Sequence, residues 1–199
     1  MGLVLAAGRA ERMGRPKQLL PLRNRPLLQH AIDAAITARG ITTVTVVLGH
    51  DAEEIQAALA LHTQDVQVIV NSRYAEGQST SLHAGLAAAG PDVTAAAVIL
   101  GDQPELGAAR IDDTLRAFHA ARTPIVRPTY GNGTPGHPVV LARSVWPAVD
   151  ALDGDAGARA LIAAHPEWLT AIPFAGDPPV DIDTPADYER VRRNAPTQE

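Results

Sequence analysis

Short apolar runs alternate with amphipathic stretches along almost the whole chain, and this alternation restricts the available folds more than any other feature. Residues 2–6, 43–48, 66–70, 95–100, 125–127, 139–141 and 169–174 read as strands, several apolar enough to be covered on both faces. Between them, 27–38, 52–61, 79–89, 108–121, 156–164 and 185–193 carry helical patterns. Strand alternating with helix predicts βαβ units, an α/β fold and a largely parallel sheet, with ligands beyond the carboxyl ends of the strands. A chain of 199 residues, 46% hydrophobic, buries one good core rather than two. One domain is therefore expected over 1–193, with 194–199 a flexible tail. The pattern weakens only at 127–138, rich in Gly and Pro, which reads as a long functional loop or the entry to a small subregion.

Charge and composition exclude several classes of function. A formal net charge of -5 argues against nucleic-acid or anionic-membrane partners, which need a broad basic face. With no cysteine there is no disulfide framework, thiolate zinc site or Cys nucleophile. No basic segment leads into an apolar stretch at the N-terminus, and no run of about 18 apolar residues occurs, so a cytoplasmic protein is expected.

Against that acidic background, Arg9, Arg12, Arg15 and Lys17 crowd the segment just after the first strand, together with Gly8 and Gly14. Backbone amides in such a loop cradle phosphate, glycines allow close approach, and the cations offset polyphosphate charge. The Gly8-to-Gly14 spacing is one residue too wide for a Walker loop, and Gln18 stands where Ser or Thr would follow the lysine. A dinucleotide-binding glycine fingerprint is missing too, because Ala10 occupies its second position. An exposed basic loop is the plain alternative. The histidines show no paired zinc-binding spacing, which disfavours a zinc hydrolase.

Four motifs accompany this loop: Leu5-Ala6-Ala7-Gly8 with Arg12-Met13-Gly14 and Pro16-Lys17; Gly101-Asp102-Gln103-Pro104; Gly136-His137-Pro138-Val139; and the segment from Asp181 to Asp187. Together they resemble the MobA-like nucleotidyltransferases, and within them most nearly the molybdenum cofactor cytidylyltransferases. The resemblance implies a Rossmann-like three-layer sheet of the nucleotide-diphospho-sugar transferase type. It implies transfer of CMP from CTP to the phosphate of a molybdenum-pterin cofactor, with pyrophosphate released and a molybdoenzyme or its maturation chaperone as a further partner. Leu5, Ala6, Ala7, Gly8, Arg9, Gly14 and Lys17 would bind the nucleotide, and Lys17, Arg12 and Asp102 would be catalytic. Ala7 in the first motif leans toward the cytidylyl branch. Asn71, Gly77, Ser79 and Ser81 would meet base and sugar, although an ordinary helix start explains each singly.

Asp102 follows an apolar strand directly, at the position where a ligand-facing carboxylate belongs; a turn or cap role is its alternative. Magnesium, the expected Mg2+ cofactor, is typically held by one or two carboxylates plus phosphate oxygens. Thr184, Pro185 and Asp187 make a helix start, which leaves Asp181 and Asp183 as the second acid. The resemblance favours Asp183. On the acceptor side it implies Gly136, His137, Pro138 and Arg159, the last within Asp155–Arg159. Guanylyl or sugar-phosphate transfer on the same fold stays open, as does a cofactor-binding oxidoreductase or accessory protein of molybdenum hydroxylases.

Overall fold

The computed structural model describes residues 1–9, 13–61, 66–131, 133–152, 154 and 157–194, the last without its side chain. Arg12, Asp155 and Ala156 lie outside the described residues, as does the expected tail beyond Asn194.

Parallel strands form the centre. β1 (Gly2–Leu5) pairs with β4 (Val44–Leu48) on one side and β6 (Ala95–Leu100) on the other, and β4 pairs with β5 (Val66–Val70). Period-two alternation divides the core between the two faces. Val4, Val46 and Ile99 pack against Leu28 and Ile32 of α1 (Leu27–Thr37), Ile55 of α2 (Ala52–Ala58) and Ile111 of α4 (Ala108–Ala120). Leu3, Val47 and Val98 pack on the opposite face. Their partners are Leu82 and Leu86 of α3 (Gln78–Ala87), Val149 of α5 (Trp146–Val149), and Leu161 and Ile162 of α6 (Ala158–Ala164). The three expected layers follow.

The far half of the sheet departs from the sequence expectation. Residues 127–138 are not one long loop: β7 (Ile125–Tyr130) continues three residues past Arg127, turns, and pairs with β8 (Thr134–Pro135). Then β9 (Val139–Ala142) runs antiparallel between β6 and β7, while β10 (Leu169–Phe174) pairs parallel with β7 at the edge. The sheet order is β10-β7-β9-β6-β1-β4-β5, parallel on one side of β6 and mixed on the other. Hairpin turn chemistry at Gly131 to Gly133 explains the difference, because it lets the chain reverse where the apolar pattern breaks. The Gly-Pro texture has local causes as well: a Cβ at Gly136 would lie 2.3 Å from the buried Tyr130 ring.

A third cluster fastens the C-terminal helix. Leu20, Leu22 and Leu27 surround Ile182, Tyr188 and Val191, joining α7 (Pro185–Asn194) to the small hairpin of β2 (Pro21–Leu22) and β3 (Arg25–Pro26). The Tyr188 hydroxyl donates to the Pro21 carbonyl. As the sequence indicates, Thr184 starts α7: Asp187 Oδ2 accepts from the Thr184 amide at 3.0 Å, and the Asp187 amide donates to Thr184 Oγ1 at 3.2 Å. Among the described residues, no helix is long and apolar enough to cross a membrane.

α3 packs closely on the sheet at Gly85, where a Cβ would lie 2.3 Å from Leu3 Cδ1 and 3.0 Å from Val47 Cγ2. Both neighbours are fully buried. Gly85→Val is expected to cost about 1–3 kcal/mol by overpacking, read as a lower urea midpoint with an unchanged slope.

Candidate active site

The chain leaves β1 to build β4 and β5 on one side and returns with β6 on the other, so strand order reverses between β1 and β6. A crevice opens at such a point beyond the carboxyl ends. Leu5 and Leu100 are register partners, and the Gly101 amide donates to Leu5 O at 2.9 Å, so the two loops leave the sheet side by side. Between them lies a cleft of about 500 Å³.

Three side chains from distant parts of the sequence meet in it. Lys17 Nζ lies 2.6 Å from Asp102 Oδ2 and 2.8 Å from Asp183 Oδ1. Its position follows from the buried neighbour Gln18, whose Nε2 donates to Ala6 O at 2.9 Å and Gly8 O at 3.2 Å, drawing the short 3-10 turn at 17–19 onto the phosphate-type loop. Asp183 is brought in by the backbone: the Ile182 amide donates to Asp102 O at 3.0 Å while the Ile182 side chain is buried in the third cluster. Burial alone would lower the lysine pKa, but the charge and hydrogen bond of Asp102, then those of Asp183, outweigh it and raise it.

Asp181 takes a different position from Asp183. It accepts from Gln103 Nε2 at 2.6 Å, and it does not line the cleft. Burial pushes its carboxyl up; the Gln103 hydrogen bond opposes this, and the charges of Asp102 and Asp183 add to it. Asp102 Oδ1 is buried with no hydrogen-bond partner, which for a carboxylate oxygen calls for a cation or a donor. A hard divalent ion fits that oxygen and the facing Asp183. Among the described residues no group of three or more potential metal ligands converges, so such an ion would complete its shell with ligand oxygens and water.

The first motif lines the cleft through Leu5, Ala6, Ala7, Gly8 and Arg9, opposite Gly77 and Ser81. Gly14 borders an adjoining depression shared with Gly8, Arg9 and Arg15. Asn71 and Ser79 sit behind the wall. Asn71 Nδ2 donates to Thr80 Oγ1 and Ser81 Oγ at 2.8 and 3.0 Å, and the Ser79 amide donates to Gly154 O at 3.1 Å, so both brace the start of α3. Sequence reasoning missed Gln18, Tyr74 and Gln78, which also line the cleft. Tyr74, under the Arg9 guanidinium at 5.4 Å, was findable as a lone aromatic in a polar loop of a chain only 4% aromatic.

Gly136, His137, Pro138 and Arg159 lie outside that cleft. His137, joined to Pro138 by a cis peptide bond, is pushed down to about 4, by burial first and then by the Arg127 charge. It is neutral at pH 7. Substituting Lys17→Met would leave the two carboxylates facing each other in a half-buried site. A loss of about 1–3 kcal/mol in unfolding free energy at pH 7 is expected, between the values for exposed and buried pairs. Because folding raises the lysine pKa, the Lys17 contribution is complete below its ordinary value of 10.5 and is lost as pH rises through the folded value. Urea unfolding of both proteins from pH 7 to pH 11 measures this.

Comparisons with known proteins agree with this geometry. The chain matches the MobA-like NTP transferase domain over residues 2–168. It is 34% identical to the nicotine blue oxidoreductase of Paenarthrobacter nicotinovorans over 193 residues, covering 92% of this chain and 91% of that protein. Rv0371c of Mycobacterium tuberculosis H37Rv, solved in complex with manganese, superposes with a TM-score of 0.82 at 33% identity, covering 98% of both chains. A nucleotidyl transferase from Methanothermobacter thermautotroptrophicus gives a TM-score of 0.78 at 26% identity over 96% of this chain and 95% of that one. The fold is that of the nucleotide-diphospho-sugar transferases, and the chain belongs to the MobA-like NTP transferase family.

Proposed function

We propose that this protein is a cytidylyltransferase that moves CMP from CTP to the phosphate of a molybdenum-pterin acceptor and releases pyrophosphate. The observation that carries the reading is the buried, unpaired Asp102 Oδ1 beside Asp183 at the mouth of the β1–β6 crevice, with Lys17 between them. A carboxylate pair bridged by a lysine beside a glycine-containing loop suits a triphosphate that arrives with its own cation. Manganese in the similar Rv0371c structure supports a divalent ion here, and magnesium is the expected one.

The reaction is a displacement at phosphorus. An oxygen of the acceptor phosphate attacks the α-phosphorus of CTP in line, the bond to the bridging oxygen breaks, and pyrophosphate leaves with that electron pair. No protein nucleophile is needed, and the attacking oxygen is already largely ionised near neutral pH. Asp102 and Asp183 would hold a divalent cation whose charge offsets that on the phosphate oxygens. Lys17, released from the carboxylates, neutralises the α-phosphate and the leaving group, and Gln18 keeps the Ala6–Gly8 backbone fixed against the triphosphate. Arg12 would add charge from the same loop. Gly77, Ser81 and Tyr74 face base and sugar, and Ala7 favours cytosine through the family resemblance. Asn71 and Ser79 serve this wall indirectly by holding α3.

Similarity to nicotine blue oxidoreductase favours one second reading, a cofactor-dependent oxidoreductase or an accessory of molybdenum hydroxylases. Pyrophosphate release separates the two. With CTP, magnesium and the pterin acceptor, the wild type is expected to release pyrophosphate faster than with GTP or ATP. Nicotinamide-cofactor oxidation without pyrophosphate would favour the second reading. Asp102→Asn is expected to lose at least about 3 kcal/mol of barrier stabilisation, roughly a hundredfold in rate, with a folded protein whose melting midpoint is unchanged or lower, because Lys17 keeps only Asp183 as a charged partner. Wild-type turnover by that variant would remove the carboxylate from the reaction.

A further inference from the structure

On the face of the sheet that carries α3 and α6, an arginine without an anionic partner among the described residues stands beside a second one. Ile125 belongs to that face, and Arg127 follows two residues later along β7, so it points the same way. Its Nε is buried and has no hydrogen-bond partner. Thr129 pairs with Pro135 but Val126 pairs with Val140, so three steps on β7 are matched by five on the returning chain. The two extra residues form a bulge around His137 and Pro138, opposite Arg127. Arg159 stands on α6, whose Leu161 and Ile162 pack on the same face of the sheet as Ile125, and its charge acts on Arg127.

This group adjoins the nucleotide cleft. Leu5 and Ala7, which line the cleft, belong to the same core face as Ile125, and Leu100 packs against it. Gly157, two residues before Arg159, packs directly on the cleft residue Gln78. Two like charges, one with a buried unpaired donor, and no carboxylate partner for either among the described residues describe a receptor for an anion.

We infer that Arg127 and Arg159 bind a phosphate monoester of the acceptor, holding it on the flank of the nucleotide cleft, with His137 contributing a hydrogen bond. The inference rests on the transferase reading and adds a residue, Arg127, that no sequence motif marks. A guanidinium presents paired N–H donors in one plane and matches phosphate bidentately, which a lysine does not. His137, neutral at pH 7, adds no charge to the pair.

The test is a titration with inorganic phosphate, followed by calorimetry, of protein whose cleft is already saturated with a non-hydrolysable CTP analogue and magnesium. Arg127→Met is expected to weaken phosphate binding at least about tenfold, or roughly 1.4 kcal/mol, and to leave analogue affinity unchanged. Arg127→Lys is expected to fall between. The exposed Arg159→Met gives the same readout in a fold it does not threaten. No phosphate binding by the wild type, equal phosphate affinity in the variants, or a matching loss of analogue affinity would each overturn the inference. Because no turnover is measured, a protein that binds phosphate through Arg127 but releases no pyrophosphate would retain the subsite and lose only the transferase reading.

Discussion

The ion pair of Lys17 with Asp102 and Asp183 is the contact on which the arrangement of this molecule turns. The lysine is 85 positions from one carboxylate and 166 from the other, so a single ammonium ties the first loop, the central strand and the C-terminal segment together. Each tie is backed by a second interaction that does not involve charge. Gln18 fixes the lysine turn through two backbone carbonyls, and Ile182 fixes Asp183 through a main-chain hydrogen bond and its own burial. The lysine therefore holds the carboxylates but does not alone position them. A group free to leave without collapsing its surroundings is what a phosphate-binding cation requires.

The sheet divides the labour. Its parallel half supplies the loops at the strand reversal, and its mixed half, from β9 outward, supplies a wall with different chemistry. Inserting β9 antiparallel between β6 and β7 brings the His137 bulge beside the carboxyl end of β6 without another crossover helix. Two regions of different charge thus adjoin on one sheet, one acidic around Lys17 and one basic around Arg127.

Much of this was legible in the sequence where pattern and chemistry coincide. Strands 66–70, 95–100 and 169–174 were readable residue for residue because their apolar runs end in clear turn signals. Thr184 and Asp187 gave the start of α7, since a capping pattern is local. What escaped depends on partners distant in sequence. Arg127 closes the strand read at 125–127, and nothing near it in the sequence marks it as a ligand, because the His137 bulge opposite it comes from the returning chain. Lys17 read as a phosphate ligand, and its present partners are two acids that the sequence assigned to metal. Asn71 has the right polar group, but the tertiary fold turns it onto Thr80 and Ser81 of α3, and Ser79 is buried within that helix. Gly136 looked like part of a functional motif, and the Tyr130 ring gives it a packing reason.

The separate small core under α7 gives half of the site its own stability. Asp183 rides on a unit made of the β2–β3 hairpin, Ile182 and α7, packed around Leu20 and around Leu27 at the start of α1, whereas Asp102 follows the central strand of the main core. Cooperative units of this kind open at lower free energy than the whole molecule. Detachment of α7 would withdraw one carboxylate and leave the other in place, so amide exchange along α7 reports how often the acidic pair is assembled.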